Sequence, residues 1–300
     1  MTLSRRNLLA GAGAIGLGPL TGGAALTAGQ GAGQGFDRRV VQSGHSLTDP
    51  LIEPLRSLLR LQAGARGEIV KSTIPGSPMD WRWHNDPGSG QPYLREPRVM
   101  AGFDLLVITE RTPLSGTMDW HDSPGMALQW ATHAWTHGAG GAGAPTILYA
   151  TWVGIGSGPD DPNPWNDPEG HLTFRERMPL EMARWDSIQA HVNANRPREM
   201  AHVKMIPGPL VFAAAHDAIL AGEAPGITRL SELFSDDVHL NDLGAYLIAL
   251  AHFAVIYDVD PVGLAANIPP RTGPDPQQAL WMQKLVAGVL AGYGGNREND

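Results

Sequence analysis

The chain has 300 residues, 42% of them hydrophobic, no cysteine, and a formal charge of −8 from 22 Lys and Arg against 30 Asp and Glu. That length and apolar content can bury one large core, and the acidic balance argues against nucleic acid or an anionic membrane as a partner. Without cysteine there is no disulfide, no lipidated thiol, no thiol nucleophile and no thiolate metal site.

Ser4-Arg5-Arg6-Asn7-Leu8-Leu9 leads into an uncharged, Gly/Ala-rich stretch that runs to about residue 34. Twin arginines ahead of a weakly apolar region resemble a Tat-type export signal. Residues 1–35 are therefore expected to be signal peptide and linker, residues 36–300 the folded domain, and the location periplasmic or secreted. No later segment has about 18 consecutive apolar residues, so no stable membrane insertion is expected once the signal is removed.

Five apolar runs predict buried strands, at 39–42, 68–72, 105–109, 146–150 and 202–206. Continuous apolar character, without alternation, suits strands covered on both faces of a parallel sheet. Helical patterns fall at 49–61, 124–136, 179–195, 209–220, 242–257 and 277–290. The alternation of β and α elements predicts an α/β fold, a three-layer α/β/α sandwich with a five-stranded parallel sheet. Long irregular stretches at 76–99, 112–123 and 154–175 begin just after strand ends, where open α/β sheets bind ligands. A Pro-rich segment, 269–276, reads as a spacer before the last helix.

Two short segments far apart carry the chemistry: Gly44-His45-Ser46-Leu47 and Asp236-Asp237-Val238-His239. Each lies where a strand or loop meets a helix, so a sheet that gathers strand ends can set Ser46 beside His239 with Asp236 behind it. A hydroxyl needs an adjacent base to act as a nucleophile at neutral pH, and the base needs an orienting acid. At the start of a helix, free N–H groups would also favour negative charge developing near Ser46.

Strand, Ser43-Gly44-His45-Ser46-Leu47-Thr48-Asp49, then helix resembles the nucleophile block of the SGNH or GDSL-type hydrolases. Asp236-x-x-His239 leading into Leu240-Asn241-Asp242-Leu243-Gly244 is similar to that family's closing block. The resemblance spans about residues 39–257 and implies a flavodoxin-like SGNH hydrolase fold with a triad of Ser46, His239 and Asp236, Asp237 being a weaker competitor for the acid. It also implies that Gly76, after the second strand, shares oxyanion binding with the Ser46 N–H. Two positions depart from the pattern. His45 stands where the family has Asp. The family's Gly-x-Asn-Asp after the third strand is replaced by Thr109-Glu110-Arg111-Thr112, which has no asparagine. A third oxyanion donor is then expected from Thr109, Arg111, Thr112 or Asn85, with Arg111 the single choice.

Tryptophan is abundant, at 9 residues. Trp81, Trp83, Trp120, Trp152 and Trp165 fall in or beside the long loops among planar polar residues such as Asn85, a mixture that suits sugar rings or the pinning of loops to the body. These five and Asn85 are the expected substrate-binding residues. His133 and His137, four apart on a predicted helix, are read as surface histidines, and no metal or cofactor is expected. The expected reaction is hydrolysis of a short acyl ester, acetyl first, on a small molecule or polysaccharide. The alternatives are a broad-range esterase or lipase, and a non-catalytic carbohydrate-binding or acyl-transfer accessory protein. No motif specifies an oligomeric state.

Overall fold

Arg39–Gly44 (β1), Glu68–Thr73 (β2), Leu105–Ile108 (β3), Thr146–Ala150 (β4) and Lys204–Pro207 (β5) pair in parallel in the order β2-β1-β3-β4-β5. The computed structural model describes residues 35–163, 166–266 and 273–296. The expected signal segment up to residue 34, Trp165, and residues 269–272 of the Pro-rich spacer lie outside the described residues.

Alternate residues of each strand enter different cores. Val40, Leu105, Val107, Ile147 and Tyr149 face one side, while Val41, Leu106, Ile108, Leu148 and Ala150 face the other. This is why the strands read as continuous apolar runs. The first face is covered by Ile52–Arg60 (α1), and later in the chain by Gly208–Leu220 (α7), Asp242–Tyr257 (α8) and Pro276–Gly292 (α9). The second is covered by Met79–His84 (α2), Pro97–Met100 (α3), Leu114–Thr117 (α4), Ser123–His137 (α5) and Phe174–Asn195 (α6). The result is a three-layer, flavodoxin-like α/β/α sandwich. The chain runs from β1 to one edge at β2, then returns past β1 to β3, so the C-terminal ends of β1 and β3 flank the switch point where such sheets bind ligands.

Three differences from the expected elements have local causes. The helix expected over 49–61 opens as a 3-10 turn, Asp49–Leu51, before α1 begins. The helix expected from 179 starts five residues earlier at Phe174, because Thr173 and Glu176 form a reciprocal capping box. Pro179 is thus inside α6, where it forgoes one backbone bond without ending the helix. The stretches expected to be irregular contain α2, α3 and α4, each too short to show a periodicity.

Candidate active site

The turn after β1 is shaped by what Gly44 lacks: a Cβ there would lie 2.0 Å from Thr48 Oγ1. Thr48 can therefore fold back, its N–H donating to the His45 carbonyl at 2.8 Å, and Ser46 sits at the top of that turn. Ser46 precedes the 3-10 turn by three residues, so it lies in the loop that feeds the helix and not in its first turn.

The partner segment is a closed loop before α8. Ser235 N–H donates to the His239 carbonyl at 2.8 Å, and Asn241 caps α8 by accepting from Leu243 and Gly244 N–H at 3.0 and 3.1 Å. Inside the loop, Asp236 Oδ1 accepts from the N–H groups of Val238 at 2.9 Å and His239 at 2.7 Å. Its Oδ2 lies 2.8 Å from His239 Nδ1, and His239 Nε2 lies 2.8 Å from Ser46 Oγ. The structure thus brings Ser46, His239 and Asp236 into one hydrogen-bonded chain.

The backbone N–H of His239, helped by that of Val238, holds the Asp236 carboxyl down to about 2, so it is ionised at any working pH. An ionised carboxylate only accepts, which assigns the proton to Nδ1 and leaves Nε2 as an acceptor for the Ser46 hydroxyl. Asp237 faces elsewhere: its Oδ1 accepts from Gly156 N–H at 2.6 Å and its carbonyl from Ile155 N–H at 2.8 Å. It braces the loop after β4.

Gly76 occupies the third position of a tight turn, Ile74-Pro75-Gly76-Ser77, with φ of 65° and Ser77 N–H donating to the Ile74 carbonyl at 3.2 Å. Proline then positive-φ glycine is the type II pattern, and nothing crowds a Cβ there, so the requirement for glycine is conformational. Among the described residues, neither the Ser46 nor the Gly76 N–H has a protein acceptor. Of the candidates for a third donor, Thr109 donates to the Glu110 carbonyl at 3.3 Å, Thr112 to the Trp152 carbonyl at 2.6 Å, and the Asn85 amide to the Trp81 carbonyl at 2.8 Å. The exposed Arg111 side chain makes no ion pair or hydrogen bond among the described residues.

The tryptophans divide. Trp152 is 0% exposed and packs on Tyr149, Phe212 and Phe234, which corrects its expected place in a substrate surface. Its indole donates to the Val238 carbonyl at 3.0 Å, supporting the His239 loop from beneath. Trp83 is half-buried, edge-on to Trp130 with ring centroids 4.7 Å apart, and carries Arg95 over its ring. Trp81 and Trp120 are 55% and 85% exposed. Their segments leave the same sheet edge as Ser46, and Asp80 and His121 join them at 3.1 Å.

Three buried charged residues were not singled out from the sequence. Arg82 is buried under the Gly76 turn, and Arg177 and Glu181 on α6 pin the loops after β3 and β4. Arg177 donates to Ser157 Oγ at 2.9 Å and Ser115 Oγ at 3.1 Å, and pairs with Asp167; Glu181 accepts from Leu114 N–H at 3.1 Å. Their only sequence signal is a charged residue at the helical period of an otherwise core-facing row. His133, one of the two helix histidines, is 2.9 Å through Nε2 from the Leu94 carbonyl.

The fold and the switch-point location define an α/β protein with a Ser-His-Asp chain at the C-terminal edge of its sheet. No protein-family model matches the chain, and no curated protein sequence matches it. Among solved structures, it is similar to a DUF4886 family protein from Bacteroides uniformis, with a TM-score of 0.60 at 12% identity over 85% of this chain and 95% of that one. Protein YxiM from Bacillus subtilis also matches, with a TM-score of 0.44 at 13% identity over 74% of this chain and 56% of that one. At such identities the first likeness speaks for the fold.

Proposed function

We propose that the protein is a serine hydrolase of the SGNH type acting on carboxylic esters. The observation that carries this reading is the unbroken chain from Ser46 Oγ through His239 to an ionised Asp236. In the proposed reaction Ser46 Oγ attacks the ester carbonyl carbon as its proton passes to His239 Nε2. The carbonyl oxygen becomes an oxyanion facing the N–H groups of Ser46 and Gly76, with Arg111 as a third donor. His239 returns the proton to the departing alkoxide, leaving an acyl group on Ser46. Water, deprotonated by the same imidazole, then releases the acid and restores the serine.

The substrate reading is a short acyl ester, acetyl first, on a carbohydrate. It is supported by the shallow setting of the triad, whose Asp236 side chain is 56% exposed, and by Trp81 and Trp120 standing free on the same edge. Flat exposed indoles suit the C–H faces of sugar rings, and an open site admits a polymer more readily than a long acyl chain needing an apolar tunnel. Export to the periplasm or beyond is proposed on the Arg5-Arg6 segment alone.

Fluorophosphonate labelling read by peptide mass spectrometry tests the nucleophile, and turnover of p-nitrophenyl esters from C2 to C12 tests the acyl range. Labelling at Ser46 with activity falling beyond C4 is expected. No labelling and no turnover would leave a binding protein on this fold, and a maximum at long chains would make it a lipase.

A further inference from the structure

The two places where the chain departs from the family pattern touch each other. His45 is buried, and its Nδ1 accepts from Leu47 N–H at 3.3 Å, so Nε2 carries the proton that it donates to the Glu110 carbonyl at 3.0 Å. Glu110 is buried completely, and its Oε1 accepts from Met79 N–H at 3.0 Å and Arg111 N–H at 2.6 Å. Arg82, also buried, donates through one arm to the carbonyl of Ser77 and, at 3.2 Å, to its hydroxyl, and through the other arm to the Thr109 carbonyl. One grip therefore falls on the residue after Gly76, and the other spans the residues on either side of Ser46. Both end on Thr109 and Glu110.

We propose that His45, Arg82 and Glu110 are positioning residues that fix the separation of the Ser46 and Gly76 N–H donors, with Thr109 and Glu110 at the end of β3 as their common anchor. The proposal rests on the hydrolase reading above. Such donors act only within about 2.7–3.1 Å of the oxyanion, and an error of about 1 Å costs on the order of 10²-fold in rate. Two backbone donors on two separate turns hold that spacing only if the turns are tied together. A guanidinium suits the task because its fork reaches two carbonyls on two loops, which an ammonium on a flexible stem does not do in fixed geometry. Burying charged groups is a poor route to stability, and among the described residues Arg82 Nε has no hydrogen-bond partner. That pattern fits a cluster kept for geometry.

The test is Arg82→Lys and Glu110→Ala, which removes the acceptor of the Met79 and Arg111 N–H groups, in the full chain, with kcat and KM on p-nitrophenyl acetate, the second-order rate of fluorophosphonate labelling at Ser46, and thermal melting. Folded variants are expected to lose about 10- to 100-fold in kcat, with KM within about twofold and labelling slowed in parallel, because the phosphonyl oxygen uses the same donors. Should both variants fail to fold, His45→Gln, which removes one tie and leaves Arg82 and Glu110 in place, is expected to show the same split at about 10-fold. Any folded variant of the three with kcat and labelling rate within about twofold of the parent overturns the proposal. A parent that neither labels nor turns over overturns the hydrolase reading, and the proposal with it.

Discussion

Replacing Asp236 by Asn separates the two candidate acids and tests the tautomer argument directly. Oδ1 is committed to two backbone donors, Val238 N–H and His239 N–H, at 2.9 and 2.7 Å. An asparagine must keep its carbonyl oxygen there, since the flipped amide would set N–H against N–H. Its NH2 then occupies the Oδ2 position, 2.8 Å from His239 Nδ1, and donates to it. Nδ1 becomes an acceptor, the proton moves to Nε2, and the imidazole can no longer accept from Ser46. Wrong-tautomer substitutions of this kind cost about 10⁴ in kcat, equivalent to about 5 kcal/mol at 1.36 kcal/mol per decade. The loop itself should survive, because the Oδ1 bonds do. Asp237→Asn should stay within a few-fold of the parent, since its carboxylate braces Gly156. The assay is steady-state hydrolysis of p-nitrophenyl acetate by both variants, with circular dichroism to show that they fold. Near-parental kcat in Asp236→Asn beside collapse in Asp237→Asn would refute the reasoning and move the acid role to Asp237.

Ser46→Ala should lower kcat by about 10⁴ or more with melting unchanged, because the hydroxyl touches His239 and no core group; retained turnover by purified protein would exclude the nucleophile. Arg111→Ala is expected to cut kcat by about 10² with little change in KM, as Thr109, Thr112 and Asn85 donate elsewhere; a parental kcat would assign the role to no side chain. Trp120→Ala and Trp81→Ala should raise KM on an acetylated polysaccharide by about 3- to 30-fold and leave p-nitrophenyl acetate hydrolysis alone, consistent with stacking contacts of about 1 kcal/mol or more; equal effects on both esters would make the indoles structural. Burial holds His45 down to about 4 and His252 down to about 3, from 6.5 when free. Both folded values are depressed, so the unfolded chain binds more protons and stability falls as pH drops from about 6.5, by about 2 kcal/mol per histidine at pH 5. Glu181, pushed up to about 7 by burial, acts with the opposite sign between about 4.5 and 7. Urea unfolding of the parent should therefore lose about 2 kcal/mol more between pH 7 and pH 5 than His252→Leu does, and parallel slopes would contradict a neutral buried imidazole.

The sheet was legible because strands buried on both faces must be apolar throughout, and α8 because a helix enclosed on nearly all sides has almost no polar residue to blur it. The expected β5 began two residues early. His202-Val203 is as apolar as a strand start, but the Val203 carbonyl is taken by the side chains of Gln189 and Asn193, so no strand partner is available. The first turns of α6 were obscured by Pro179, and the Thr173-Glu176 capping pair that starts the helix was not read from the sequence. Trp152 was misplaced for a different reason: its surroundings in sequence match those of an exposed loop tryptophan, and what buries it are Phe212 and Phe234, some sixty to eighty residues away. Position along the chain cannot report a lid supplied by other elements.

The same limit governs the site. Ser46 and the Asp236-His239 pair are recognisable because each sits in a local pattern that closes on itself: a glycine turn in one case, an Asp-x-x-His loop in the other. Arg82 and Glu110 have no such pattern, since each is defined by a backbone group from another segment. This difference also explains how the proposed triad can tolerate its exposure. In water-accessible surroundings, a carboxylate gains little from simple attraction to an imidazolium, and salt weakens that attraction further. Asp236 is oriented instead by two backbone N–H bonds within its own loop, and these fix its direction whatever the solvent does. The tautomer of His239 is thus set by hydrogen bonds within one short loop. The spacing of the Ser46 and Gly76 N–H groups depends instead on contacts between segments, the Ile74 N–H to Gly44 carbonyl bond at 3.1 Å among them, and the role proposed for the buried charges lies there and not beneath the acid.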